Sequence, residues 1–90
     1  VKYGFEFTPA ARRAIRAIPQ ADALGLLRAI TALGNDPYAP NPNIKPMVGD
    51  TYTGYYRLRH GNYRAIYRID DGLLIILVIN AGHRRDIYQR

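Results

Sequence analysis

Four arginines fall within one short stretch, residues 55–69 (YYRLRHGNYRAIYRI), at spacings that gather positive charge on one surface. A guanidinium is planar, always charged and matched to phosphate by paired hydrogen bonds, so the chemistry this stretch suits is phosphate binding. It reads as two strands joined by a Gly61-Asn62 turn. Strand side chains alternate between faces. Tyr55, Arg57 and Arg59 therefore share a face, as do Arg64, Ile66 and Arg68. Tyr56 and Leu58, with Tyr63, Ala65, Tyr67 and Ile69, take the other. A two-residue turn sets Arg59 opposite Arg64, and like charges so placed destabilise a sheet. Stability does not favour that pattern; an anionic partner does.

A second cationic group closes the chain, His83, Arg84 and Arg85 ahead of Tyr88. Net charge is +6 and the pI near 10.0, carried almost entirely by arginine, with lysine only at Lys2 and Lys45. Eight tyrosines supply stacking surfaces. This balance favours nucleic acid over an acidic protein or a lipid surface. Without cysteine, disulfides, thiolate metal sites and cysteine nucleophiles are excluded together, which suits a reducing cytoplasm. Two histidines and scattered carboxylates show no metal-ligand spacing. No signal peptide is legible, and the longest apolar run, residues 73–79, is too short to span a bilayer. The expectation is a cytoplasmic chain with no membrane partner, no metal and no cofactor.

The elements that must position these groups form a single domain over residues 1–90. Residues 3–7 read as a strand. Thr8-Pro9 opens a helix, with a hydroxyl cap and proline at its first position. A second helix over residues 20–33 carries the stripe Ala23, Leu26, Leu27, Ile30 and Leu33, and Gly34 closes it. Residues 37–53, rich in Pro, Asn and Gly, read as a long irregular loop holding Lys45. After the hairpin, a turn at Asp70-Asp71-Gly72 leads to a strand over residues 73–80, which Ala81-Gly82 breaks. The fold expected is α+β: a helical hairpin on one face of a mainly antiparallel sheet of about four strands. The helices would cover Tyr56, Leu58, Ala65, Tyr67, Leu74, Ile76 and Val78. Arg57, Arg59, Arg64 and Arg68 would share the opposite face with Ile66, Ile75, Leu77 and Ile79, an apolar strip open to a protein partner.

The hairpin, the Asp-Asp-Gly turn, the apolar strand, the closing AGHRRDIY over residues 81–88 and the loop pair Lys45-Pro46 together resemble the RelE/ParE toxin superfamily, and its RelE branch most closely. The resemblance spans essentially the whole chain. It implies a small cytoplasmic ribonuclease that cuts messenger RNA in the ribosomal A site, held inactive by a cognate antitoxin in a toxin–antitoxin hetero-oligomer. The implied reaction is attack by the 2′-hydroxyl on the adjacent phosphodiester, expelling a 5′-hydroxyl. By position it assigns Arg64 and Arg84 to the phosphate and Tyr88 to the base or to stacking on a nucleotide. A tyrosine titrates near 10 unless positive charge lowers it, as Arg64, Arg84 and Arg85 could do.

This chain departs from the pattern where some members carry two lysines on the first hairpin strand: here stand Tyr55 and Arg57. Arginine holds phosphate but is a poor proton donor. His83 is a candidate acid in its place and His60, in the turn, a weaker one. Arg57, Arg59, Arg68, Arg85 and Lys45 are assigned to RNA binding. Plainer readings compete: a solvated arginine face, core tyrosines at positions 56, 63 and 67, and Tyr88 as an anchor of the chain end. Arg12, Arg13 and Arg16 read as solvated, or as contacts to ribosomal RNA. Two other functions stay open, a ParE-like inhibitor of DNA gyrase and a catalytically weak RNA-binding regulator.

Overall fold

The computed structural model describes residues 2–49 and 52–86. Five strands and two helices run in the order β1 (Gly4–Phe7), α1 (Pro9–Arg16), α2 (Gln20–Thr31), β2 (Ile44–Pro46), β3 (Tyr56–His60), β4 (Tyr63–Asp70) and β5 (Ile75–His83). The sheet order is β1-β5-β4-β3-β2, with β1 parallel to β5 and every other pair antiparallel. The helices pack on one face of this sheet. That is the expected architecture with one more strand.

Local chemistry sets the helix ends. Thr8 Oγ1 accepts the Ala11 N–H at 3.1 Å and Pro9 takes the first helical position, which needs no donor. The same hydroxyl donates to Ile79 O at 2.9 Å. Ile79 is the extra residue of a bulge on β5, since Ile66 pairs with Asn80 and Tyr67 with Val78. One threonine thus starts α1 and ties it to the irregular point of β5. Helix α2 ends at Thr31, and a 3-10 turn, Ala32–Gly34, replaces its expected last turn. Gly34 serves there by lacking a side chain: a β-carbon would lie 3.2 Å from the Phe5 ring.

The core comprises Ala11, Ile18, Ala23, Leu26, Ile30 and Leu33 from the helical layer against Leu58, Ala65, Tyr67, Ile76, Val78 and Ala81 from the sheet. Each fully buried aliphatic side chain contributes about 1.5–3 kcal/mol. Four expectations change. The loop over residues 37–53 contains β2, too short and too proline-bearing to be legible, yet tolerable at a sheet edge. β5 does not break at Ala81-Gly82; the bulge restores its alternation, and Ala81, Gly82 and His83 pair with Ala65, Arg64 and Tyr63. The β4–β5 turn takes residues 71–74, which puts Leu74 at φ 55° and 39% exposed instead of in the core. Opposite the helices, Ile66 is fully buried and Ile75, Leu77 and Ile79 are half-buried, so the apolar strip is narrower than expected.

Asp71 ties the β1 edge to the loop and the β4–β5 turn by accepting hydrogen bonds from Tyr3 and Tyr38 hydroxyls, each at 2.5 Å. These bonds hold the Asp71 carboxyl below its ordinary 3.8 and push Tyr38 up from 10.0 to about 12. A lowered carboxyl contributes stability above pH 3.8 that is lost as pH falls through its folded value. A raised phenol contributes below pH 10.0 and is lost as pH rises through about 12. Urea unfolding of Tyr38→Phe against the parent should show a stability gap that is widest near neutrality and closes at both extremes. A gap independent of pH refutes the linkage. Tyr67, stacked on Tyr56 at 5.6 Å and fully buried, has a hydroxyl with no hydrogen-bond partner among the described residues. Tyr67→Phe should raise stability by about 1 kcal/mol in the same assay.

Candidate functional site

The β3–β4 hairpin turns through Gly61–Asn62, with Gly61 at φ 60° and Asn62 outside the left-handed region, the pattern of a type II′ turn. This turn fixes the register, and Arg59 pairs with Arg64 as the sequence required. On the other side of β3, Lys45 of β2 pairs with Arg57. Arg57 and Arg59, two positions apart on one face, lie roughly 6.6 Å apart along the strand. The turn after β5 adds two more cations, because Arg84 N–H donates to Asn62 O at 2.7 Å and seats the chain against the hairpin tip.

The result is a cleft of about 450 Å³ lined by Pro42, Asn43, Lys45, Arg57, Arg59, Arg64, Arg84 and Arg85. Among the described residues, six cations and no carboxylate line it. Three neutral oxygens hold two of the guanidiniums. Arg59 Nη2 donates to Asn43 Oδ1 at 3.0 Å, and Arg64 Nη1 donates to Gly61 O and Tyr63 O, each at 3.1 Å. Such a concavity concentrates positive potential and suits a polyanion. Among the described residues, its lining offers none of the carboxylate, imidazole or thiolate donors that hold a divalent ion.

Six of the nine residues singled out from sequence meet in this cleft: Lys45, Arg57, Arg59, Arg64, Arg84 and Arg85. Lys45 reaches it from a strand, where a loop was expected. Arg68 does not join them. It pairs with Leu77 further along β4 and stands 4.0 Å from Asp70. His83 does not join them either. Its register partner is Tyr63 and its neighbour Ala81 is core, so the imidazole lies on the helix side, edge-on to Tyr63 at 5.4 Å. Its Nδ1 accepts the Arg85 N–H at 3.1 Å. His60 sits on that same side, packed where Gly25 of α2 leaves room for no β-carbon. Tyr55 packs edge-on to Tyr52 at 6.1 Å, outside the cleft lining. Tyr88 lies outside the described residues. Sequence reasoning passed over Asn43, whose signal was the Asn41-Pro42-Asn43 turn: Asn41 Oδ1 accepts the Asn43 N–H at 2.8 Å.

The profile of the ParE toxin of the type II toxin–antitoxin system parDE matches residues 5–88. The chain belongs to this toxin family, within the RelE/ParE superfamily. It is 29% identical to Toxin RelG of Mycobacterium tuberculosis over 89 residues, 98% of each chain. The crystal structure of the toxin–antitoxin complex RelBE2 from the same organism contains a chain that superposes with a TM-score of 0.77 at 29% identity, over 93% of this chain and 100% of that one. The archaeal RelE–RelB complex from Pyrococcus horikoshii OT3 gives 0.77 at 21% identity, over 96% and 99%, which supports the fold.

Proposed function

We propose that this toxin is a ribosome-dependent endoribonuclease that cleaves messenger RNA in the A site and so inhibits translation. The observation that carries the reading is the cleft in which the hairpin, β2 and the turn after β5 bring six cations together, with no carboxylate among the described residues of its lining. The 2′-oxygen attacks the adjacent phosphorus, the bond from phosphorus to the 5′-oxygen breaks, and a 2′,3′-cyclic phosphate and a 5′-hydroxyl result. The 2′-hydroxyl proton goes to a base, and the departing 5′-oxygen takes one from an acid. Arg64 and Arg84 stabilise the pentavalent phosphorane, while Arg57, Arg59 and Arg85 hold flanking phosphates. No step calls for a metal or another cofactor, because guanidinium groups supply the positive charge. Tyr88 supplies the base or stacks on a nucleotide.

With His83 on the helix side, the acid is assigned to Lys45, the one ammonium among the described residues of the lining. An ammonium gives up a proton far more readily than a guanidinium. The relatives' toxin–antitoxin complexes support a cognate antitoxin as this chain's partner in a hetero-oligomer. The profile match to a ParE toxin favours a second reading, inhibition of DNA gyrase.

Brief induction followed by mapping of mRNA 5′ ends, with and without ribosomes, separates the two. Cleavage within codons that requires ribosomes supports the nuclease; DNA-damage signalling with intact mRNA supports gyrase. Arg64→Ala and Arg84→Ala should each relieve toxicity while remaining folded, and undiminished toxicity in both refutes the mechanism. Lys45→Arg should retain RNA binding and lose roughly 10²-fold in cleavage rate in a single-turnover assay. An unchanged rate removes Lys45 from proton transfer.

A further inference from the structure

Arg59 and Arg64 face one another across the hairpin, yet their guanidiniums are tied to different anchors. Arg64 is held back toward the turn by the carbonyls of Gly61 and Tyr63. Arg59 is held toward the β2 side by Asn43, which grips it twice: the Arg59 N–H donates to Asn43 O at 2.8 Å and Nη2 donates to Asn43 Oδ1 at 3.0 Å. Asn43 is itself fixed, because its N–H donates to Asn41 Oδ1 and the Ile44 N–H donates to Asn41 O at 3.1 Å. Both arginines line the cleft between these anchors.

We propose that Asn43 is a positioning residue: it draws the Arg59 guanidinium away from Arg64 and holds open an interval that admits one phosphodiester of the RNA. The proposal rests on the reading of the cleft as an RNA site. It explains why a neutral amide stands here. A carboxylate would hold Arg59 more tightly but would offset the charge offered to phosphate, whereas an amide oxygen orients the guanidinium and leaves its charge intact. It also explains how the like-charged pair is tolerated, since each member is drawn off by oxygens on its own side.

The test is a double-mutant cycle read by two methods on the whole chain. The probe is a short single-stranded RNA, 2′-O-methylated to prevent cleavage, titrated against the parent, Asn43→Ala, Arg59→Ala and the double variant. Asn43→Ala should weaken binding roughly five- to tenfold, and should cost nothing further once Arg59 is alanine. Asn43→Asp should weaken binding with Arg59 still ordered. Nitrogen-resolved NMR of the Arg59 guanidinium, without RNA, should show restricted rotation in the parent that is lost in Asn43→Ala. Equal losses from Asn43→Ala with and without Arg59 overturn the positioning role, as does an Arg59 signal unaltered by Asn43→Ala. If the parent does not bind the free RNA, the cycle is read with the same RNA in the A site of programmed ribosomes; absence of binding there as well counts against the nuclease reading, while the NMR comparison by itself decides whether Asn43 orders Arg59.

Discussion

The Gly61–Asn62 turn brings two strands together in a register that opposes Arg59 to Arg64, and the cleft depends on that opposition. The core-facing residues leave the hairpin little choice. Leu58 against Ala65 and Tyr56 against Tyr67 must point to the helices, and a slip of either strand by one residue would turn its own pair away from them. Burial on one face therefore forces charge onto charge on the other. The cost is some tenths of a kcal/mol, small beside the several kcal/mol from the buried side chains of the same two strands. The core sets the register, and the register sets the cationic surface.

The rest of the site is assembled around the hairpin by backbone hydrogen bonds. Asn62 O takes the Arg84 N–H, so the residues following β5 deliver Arg84 and Arg85 to the strand tips. Met47 N–H donates to Tyr55 O and Arg59 N–H to Asn43 O, so both ends of β2 are fastened and Lys45 faces Arg57. The bulge at Ile79 links the two halves of the molecule. It gives Thr8 a carbonyl to bind, and it corrects the alternation of β5 so that Ala81 reaches the core and Gly82 pairs beside Arg64.

Much of this was legible because it is periodic or local. Alternation in residues 55–69 placed Arg57, Arg59 and Arg64 on one face, and Thr8-Pro9 placed the start of α1. Features without a period were not legible. A three-residue edge strand ending in proline gives no alternation to read, and one inserted residue at Ile79 reverses the side on which every later side chain falls. The same inserted residue sent His83 to the helix side. Arg68 follows the alternation yet lies beyond the cleft, because position along a strand matters as much as face.

By itself, the sequence determined the class of fold, the cationic character of the hairpin face and the arginine pair at its tip, since each follows from composition or from a period of two. Only the tertiary structure decided which cations share one cleft and which histidines are kept out of it. Those outcomes rest on one bulge, one edge strand and a few carbonyls between residues far apart in sequence, and no local pattern encodes contacts of that range.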